Sequence, residues 1–200
     1  MRRETEGRRP RAGVVVPIRS FLLGKARLAS DLDDHARAEL GRRLADRVVD
    51  AAAPLPVVVV TSAPEVRRWA PTRGCELLDD PGSLDAAATR GHEHLRDLGY
   101  DRVVVAHADL ARARTLDPVT VDGDRPLVAL VPCHRDDGTN VLAVPAGAPF
   151  RYAYGPGSFR RHVAEATRLG LGVRVVRDPD LAFDVDVPED LAALAAALPA

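Results

Sequence analysis

The chain has 200 residues, 46% of them hydrophobic, and a formal net charge of -1. Its length is enough for one domain with a full core. The balanced charge argues against broad binding to nucleic acid or to a membrane surface, since either would need a basic excess. The two cysteines, Cys75 and Cys133, lack the spacing of a metal site, so we expect reduced thiols in a cytoplasmic protein.

The start of the chain is rich in charge and has no apolar segment of the kind found in secretory signals. We interpret residues 1–12 as a disordered basic tail and residues 13–200 as a single folded domain. Because no apolar run approaches the roughly 20 residues of a transmembrane helix, we expect no membrane span.

Strand and helix patterns alternate through the first half of the domain. Continuous apolar runs predict buried strands at residues 14–18, 56–61, 75–78 and 102–107. Helical patterns between them lie at residues 31–51, 64–70 and 84–98. Asp31 is the expected N-cap of the first of these helices, and Gly99 is the expected stop of the third.

The second half continues the alternation less regularly. Strands are predicted at residues 127–131, 141–144 and 173–176. Helices are predicted at residues 158–170 and from Pro188 towards the C-terminus. Valine-rich strands that alternate with helices predict an α/β fold, in which a mostly parallel sheet carries helices on both faces.

A basic loop follows the first predicted strand. Of the 28 basic residues only Lys25 is a lysine, and it lies between Arg19 and Arg27. A strand, a basic loop and a helix in this order typically place cations where the phosphates of a nucleotide bind. A compact ammonium has different uses from a planar guanidinium, although a single lysine can also fall here by chance.

Three aspartates are candidates for a metal site. Asp109 follows a buried strand and should emerge at the carboxyl edge of the sheet, where open α/β sheets bind ligands. Asp184 and Asp186 lie two residues apart, so an extended backbone would point both side chains to one side. Mg²⁺ typically takes one or two carboxylates together with phosphate oxygens. The alternative is that these residues cap a turn and the last helix, as Glu189 could also do.

Two further segments offer groups for binding an anion. Gly155 and Gly157 free the backbone for close approach, and Ser158 presents a hydroxyl and an N–H at the start of a predicted helix. Thr139 supplies a second hydroxyl before a predicted strand. Either segment could equally be an ordinary turn. His107 borders Asp109 and could support that carboxylate, although we favour its interpretation as a histidine of the core or the surface.

Taken in order, these motifs resemble the guanylyltransferases of deazaflavin coenzyme F-420 biosynthesis, the CofC/FbiD family. The resemblance extends from about residue 14 to residue 194. It depends on five short segments, which are residues 16–21 with 25–28, residues 108–110, residues 137–140, residues 155–159 and residues 184–191.

The resemblance implies a fold, a reaction and a metal. The fold would be a single-domain Rossmann-like nucleotidyltransferase. The reaction would join GTP to a three-carbon phospho-acid, phosphoenolpyruvate or 2-phospho-L-lactate, and release pyrophosphate. By the same resemblance, Asp109, Asp184 and Asp186 would hold Mg²⁺ and take part in catalysis.

The remaining site residues are also assigned through the resemblance. Lys25 and Arg27 would contact the GTP phosphates and stabilise the leaving group, assisted by Arg19, which stands where the family has lysine. Asp85 stands where asparagine is usual near the base, and its carboxylate can still accept from guanine N1–H and the amino group. The residues that would contact the phospho-acid are Thr139, Gly155 and Ser158.

Two other functions remain open from the sequence. A sugar-nucleotide glycosyltransferase also uses an Asp-x-Asp motif to bind a metal and a diphosphate, although there the motif usually follows a strand in mid-chain. A nucleotide-binding relative without turnover is the second alternative. The sequence does not specify which phospho-acid is the acceptor, and it leaves a homodimer open.

Overall fold

The computed structural model describes residues 11–23, 25–120 and 126–196. The strands in these ranges are β1 (Ala12–Pro17), β2 (Val57–Val60), β3 (Glu76–Leu78), β4 (Arg102–Ala106), β5 (Leu127–Pro132), β6 (Thr139–Pro145) and β7 (Gly172–Val175). The α-helices are α1 (Asp34–Ala52), α2 (Pro64–Trp69), α3 (Leu84–Asp97), α4 (Asp117–Thr120), α5 (Ser158–Arg168) and α6 (Pro188–Ala196). Two short 3-10 helices occupy Ala26–Leu28 and Ala70–Arg73.

The seven strands form one sheet in the order β3-β2-β1-β4-β6-β5-β7. All neighbouring pairs are parallel except the two that involve β6, which runs antiparallel to both β4 and β5. The predicted α/β fold with a mostly parallel sheet is therefore confirmed. Because β6 is reversed, its first residue, Thr139, lies at the same edge as the carboxyl ends of β1, β2 and β4.

Both faces of the sheet are covered, as continuous apolar strands require. Along β1, Val14 and Val16 pack into the core beneath α1 and α2, whereas Val15 points into the core beneath α3 and α5. Helix α3 approaches β1 closely, since a Cβ placed on Gly91 would lie 2.4 Å from a methyl carbon of Val15. Any larger side chain at Gly91 would push the helix away from the sheet.

A smaller apolar cluster anchors the basic loop. Leu28, at the end of the 3-10 helix after Lys25, is fully buried and packs with Leu44 of α1. Phe183 and Val185 complete this contact from the C-terminal segment. Burial of these side chains holds the loop after β1 beside a stretch of chain about 160 residues further on.

Helix α1 begins later than predicted. The carboxylate Oδ1 of Asp33 accepts a hydrogen bond of 2.7 Å from the N–H of Ala36, so Asp33 is the N-cap. Asp31 is not the cap, because it belongs to the turn after the 3-10 helix, where its N–H donates to the carbonyl of Leu28.

The proposed boundary of the N-terminal tail also needs correction. Arg11 donates its N–H to the carboxylate of Asp101 and accepts from two backbone N–H groups, and Ala12 is the first residue of β1. The sheet therefore includes Ala12, the last residue assigned to the tail, and residues 1–10 of that prediction lie outside the described residues. Among the helices that the structure describes, none is long and apolar enough to cross a bilayer.

Candidate active site

A cleft of about 470 Å³ opens at the carboxyl edge of the sheet. Its wall at β1 includes Arg19 and Lys25, and the opposite wall is the loop that leads into α3, with Ser83. His107 and Asp109, directly after β4, line the floor. Parallel strands that end together leave a crevice at this edge, so the cleft lies where α/β proteins bind ligands.

Lys25 links two of the predicted carboxylates. Its Nζ lies 2.6 Å from Oδ2 of Asp109 and 3.3 Å from Oδ1 of Asp186. The side chain of Lys25 is 11% exposed, so its charge is largely removed from water. Lys25 adopts a left-handed backbone conformation, with φ of 59°, which costs a side-chain-bearing residue about 1–2 kcal/mol. The ion pairs can offset that cost.

The electrostatics of this group agree with its geometry. Burial by itself would lower the pKa of Lys25, but the charges of Asp109 and Asp186 outweigh it and raise the pKa above its ordinary value. Burial would raise the pKa of Asp109, but the positive charge of Lys25 and its hydrogen bond lower the pKa overall. Both partners are therefore fully ionised at neutral pH.

Asp184 is brought beside Asp109 by the backbone. The segment around Asp184 forms an antiparallel bridge with Leu110, and the N–H of Val185 donates to the carbonyl of Asp109 at 3.3 Å. The backbone thus brings the C-terminal segment next to the loop after β4, and Lys25 joins the side chains of Asp109 and Asp186. The recorded contacts of the Asp184 side chain are with other residues, so the three-aspartate metal site stays a prediction.

The two aspartates of the C-terminal pair have different partners. Asp184 is buried, and its Oδ1 lies 3.2 Å from both Nδ1 of His134 and Nδ2 of Asn140. Asp186 has a side chain 43% exposed and contacts Lys25. Beyond it, Asp190 accepts from the N–H groups of residues 186 and 187, which holds the turn before α6.

The residues present fit a hard divalent cation such as Mg²⁺. Among the described residues, Oδ1 of Asp109 is buried and has no hydrogen-bond partner, which leaves a carboxylate oxygen free for a ligand. Both recorded side-chain contacts of Asp184 use Oδ1 alone. Within the described ranges no three His, Cys, Asp or Glu groups converge closely enough to hold a metal by themselves. A site formed by one or two carboxylates and substrate phosphates remains compatible with this arrangement.

The predicted anion-binding residues lie together at the start of β6 and α5. The N–H of Thr139 donates to Oγ of Ser158 at 3.1 Å, and the N–H of Ser158 donates to the carbonyl of Gly155 at 3.0 Å. Oγ1 of Thr139 lies 3.0 Å from Nδ1 of His162. Thr139, Ser158 and His162 are all buried, so their side chains hold the loop in one conformation.

The turn before β6 fixes the loop that contains Gly155 and Gly157, which we call the glycine loop. Asp137 accepts the N–H of Gly157 at Oδ1, with a distance of 2.9 Å, and its carbonyl accepts the N–H of Phe159. Gly155 and Gly157 have φ of 96° and 73°, a region that only glycine occupies without strain. The carbonyls of Gly155 and Pro156 accept from the guanidinium of Arg161, so the loop is also fixed from helix α5.

Three of the residues predicted to contact the nucleotide lie in different surroundings. Arg19 is exposed and lines the cleft, as expected. Arg27 is exposed on the 3-10 helix, and neither Arg27 nor Asp85 belongs to the cleft lining among the described residues. Oδ1 of Asp85 instead accepts the N–H of Tyr154 at 2.6 Å. The roles of Arg27 and Asp85 in nucleotide binding stay predictions.

Sequence reasoning missed several residues of this site. Asn140 and His134 contact Asp184. Asn140 belongs to a segment that carries the family resemblance but received no role there, and no local pattern marks His134. His107 was assigned to the core or the surface, but it lines the cleft. A signal for His107 did exist, since a residue two positions before Asp109 at a strand end points to the same side of the sheet.

Comparison with known proteins agrees with this geometry. Residues 12–196 match the family described as guanylyl transferase CofC like. A phosphoenolpyruvate guanylyltransferase from Chloroflexus aggregans is 34% identical over 193 residues, which cover 90% of this chain and 94% of that protein. A 3-phospho-D-glycerate guanylyltransferase from Phenylobacterium zucineum is 32% identical, with 90% and 87% covered.

The fold is also found among solved structures. A nucleotidyl transferase from Methanothermobacter thermautotroptrophicus superposes with a TM-score of 0.62 at 16% identity, over 92% of this chain and 95% of that one. At that identity the likeness concerns the fold alone. The sequence match spans the basic loop, all three aspartates and the glycine loop, and on this basis the chain belongs to the family of CofC-like guanylyl transferases.

Proposed function

We propose that this protein transfers the guanylyl group of GTP to the phosphate of a three-carbon phospho-acid and releases pyrophosphate, as in deazaflavin coenzyme F-420 biosynthesis. The observation that carries the proposal is the contact of Lys25 with Asp109 and Asp186 in the cleft at the carboxyl edge of the sheet. An ammonium and two carboxylates in one cleft support the binding of a triphosphate together with a metal ion.

The cleft itself would receive the nucleotide. It is open towards solvent on the side of Arg19, and Ser83 and the exposed loop before α3 form its far wall. We assign the base and ribose to this wall and the triphosphate to the loop of Lys25 and Arg27. Asp85, held on the backbone of Tyr154, would reach the base only by exchanging that contact.

The chemical step needs alignment more than proton transfer. An oxygen of the acceptor phosphate forms a bond to the α-phosphorus of GTP while the bond to the bridging oxygen breaks, and pyrophosphate leaves with that electron pair. The acceptor phosphate is already ionised near neutral pH, so no general base is required. The work of the protein is to neutralise two anions and hold them in line.

Lys25 would act at two stages. In the free protein its ammonium balances the charges of Asp109 and Asp186. When a triphosphate binds, the same ammonium can turn to the β- and γ-phosphates and stabilise the charge that grows on the leaving group. Its long, flexible stem allows this exchange, which a rigid guanidinium would make harder.

Asp109, Asp184 and Asp186 would hold Mg²⁺ when the substrates are bound. The bound ion would supply positive charge to phosphate oxygens of nucleotide and acceptor. Lys25 contacts Oδ2 of Asp109 and Oδ1 of Asp186, so an ion bound at the free Oδ1 of Asp109 would be repelled by the nearby ammonium until Nζ of Lys25 moves away.

The acceptor would bind at the glycine loop through Thr139, Gly155 and Ser158. We propose phosphoenolpyruvate as the first acceptor to test, because relatives at 34% and 35% identity carry the name phosphoenolpyruvate guanylyltransferase. 2-Phospho-L-lactate and 3-phospho-D-glycerate have the same combination of a phosphate and a carboxylate, so they belong in the same experiment.

The test is mass spectrometry of the product formed from GTP, Mg²⁺ and each phospho-acid in turn, with pyrophosphate measured in parallel. We expect a guanylylated acid and one pyrophosphate per product. GTP binding without product from any acceptor would point to the inactive relative instead. Transfer of a sugar from a sugar nucleotide would point to the glycosyltransferase.

A further inference from the structure

The recognition of a phospho-acid poses a problem that the residues assigned so far do not solve. Such an acceptor carries a carboxylate as well as a phosphate, and both are anionic. In the described part of the glycine loop, Arg161 is the nearby cation, and its N–H groups donate to the carbonyls of Ala153, Tyr154 and Pro156. Thr139 and Ser158 are neutral and bonded within the loop. A further group is needed to bind the carboxylate.

His107 lies at the right place for this role. It follows β4 directly, lines the cleft and precedes Asp109 by two residues. Its ring centroid is 5.3 Å from that of Tyr154, the residue before the glycine loop. Tyr154 in turn packs edge to face on His162, at 4.8 Å, and His162 contacts Thr139. The rings of His107, Tyr154 and His162 thus form a continuous row from the cleft floor near Asp109 to the glycine loop.

Two polar atoms in this row have no partner among the described residues. Nε2 of His107 and the hydroxyl of Tyr154 are both buried without a hydrogen bond. A buried polar group left unpaired is unfavourable, and each such case in a native fold calls for an explanation. His92 and His162 differ from His107 in this respect, since both ring nitrogens of each are hydrogen-bonded.

We infer that His107 binds the carboxylate of the acceptor and that Tyr154 positions its ring, an inference that rests on the proposed function. The imidazole can donate a hydrogen bond to a carboxylate oxygen, and a charged imidazolium would strengthen it. Rotation about the Cβ–Cγ bond of histidine has broad minima, so the ring can turn its unpaired nitrogen into the cleft. His107 would then select acids against phosphate esters that lack a carboxylate.

The experiment compares phosphoenolpyruvate with vinyl phosphate, which is the same enol phosphate without its carboxylate. For His107→Phe we expect kcat/KM with phosphoenolpyruvate to fall about ten- to a hundredfold, the loss typical of one hydrogen bond to a charged group. The loss should be specific to the acid, so the ratio of kcat/KM for phosphoenolpyruvate to kcat/KM for vinyl phosphate should fall by the same factor, whatever His107→Phe does to the binding of GTP. His107→Gln keeps a donor and should recover part of the loss.

Tyr154→Phe separates a functional role from a structural one. It removes a hydroxyl that has no partner among the described residues, so the unfolding midpoint should stay the same or rise, while the preference for phosphoenolpyruvate falls severalfold. Tyr100→Phe, on the opposite edge of the sheet, is the matched control and should change neither quantity. A lower midpoint together with an unchanged preference would show a purely structural tyrosine and overturn its positioning role.

Calorimetric binding of phosphoenolpyruvate keeps this inference distinct from the proposed function. If the wild type forms no guanylylated product with any acid, the proposed function fails, while the ratio of affinities of wild type and His107→Phe still decides the role of His107. Equal affinities, or equal losses with phosphoenolpyruvate and vinyl phosphate, would overturn the inference. A weaker affinity confined to the acid would support it.

Discussion

The nucleotide side and the acceptor side of this edge of the sheet are built differently. Around the cleft, Arg19 is exposed and Ser83 caps α3 at the surface. At the glycine loop, Thr139, Ser158 and His162 are buried and bonded to one another. One side is an open wall that a large ligand would complete, and the other is a loop held rigid before any ligand arrives.

This difference suggests that the two proposed binding sites gain affinity in different ways. A small acceptor contributes little binding energy, so its site gains from being organised in advance. The proposed nucleotide, GTP, offers a large surface and would order flexible side chains as it binds. Asp109 and Lys25 lie at the boundary, where the open side meets the rigid one.

Asp109→Asn is expected to have the largest effect. Removal of a preorganised charge beside the reacting phosphates should lower kcat by about 10² to 10³. Asp101→Asn, at the opposite end of β4, is the matched control, since Asp101 contacts only backbone N–H of Arg11 among its recorded side-chain bonds. Steady-state rates of pyrophosphate release measure both. Equal rates for the two variants would show that the Asp109 carboxylate takes no part in the reaction.

The rigid side should lose stability in mild acid. Burial, with the charges of Arg161 and His107, lowers the pKa of His162 to about 4. Histidine in an unfolded chain takes its proton near pH 6.5, so the unfolded state binds more protons between these values. The stability is therefore complete above about pH 6.5 and declines as the pH falls towards 4, by an amount on the order of 3 kcal/mol.

Urea unfolding at a series of pH values measures this decline. His162→Gln should flatten the dependence between pH 6.5 and 4.5. Part of the slope should remain, because burial also lowers the pKa of His92. A slope identical to that of the wild type would mean that His162 does not stay neutral in the fold.

Lys25→Met tests whether the ammonium of Lys25 opposes the binding of a metal ion at Asp109 and Asp186. Because Nζ lies between Asp109 and Asp186, its removal should free both carboxylates for a metal. We expect the affinity for Mn²⁺ without nucleotide to rise about tenfold, since a competing cation within 4 Å is lost. Arg27→Met, on the exposed 3-10 helix, should leave it unchanged. Electron paramagnetic resonance of free Mn²⁺ gives both affinities, and an unchanged value for Lys25→Met would contradict the competition.

The smallest expected effect is a difference in unfolding free energy between two Ser→Ala variants. Ser158→Ala leaves the buried N–H of Thr139 without its acceptor and should cost about 1–3 kcal/mol of unfolding free energy. Ser62→Ala, at an exposed position on the nucleotide side, should change it by less than about 0.5 kcal/mol. Chemical denaturation measures both, and equal costs would mean that the two sides are equally rigid.

The elements of the fold could be predicted because local signals and tertiary structure agree. The valine runs of β1, β2 and β4 are long enough to be buried strands, and helix α3 ends one residue before Leu98, close to the glycine expected to stop it. The strand order could not be predicted, because the reversal of β6 depends on pairing between distant segments.

The candidate site was only partly accessible to sequence reasoning. The end of a predicted strand identified Asp109 as a residue of the carboxyl edge, whereas Thr139 lies at that edge only because β6 is reversed. The partners of Asp184 could not be foreseen, because His134 and Asn140 reach it across about 50 and 44 residues of chain. The ion pairs of Lys25 likewise depend on the packing of Leu28 against the C-terminal segment.

The central proposal is that Asp109, Asp184 and Asp186 act together on one metal ion once the nucleotide is bound. The most direct test is the affinity for Mn²⁺ in the presence of GTP, compared between wild type and the three single Asp→Asn variants. The claim predicts that each variant binds the ion at least about tenfold more weakly, as expected when one ligand of a shared site is lost. Wild-type affinity in all three variants would contradict it.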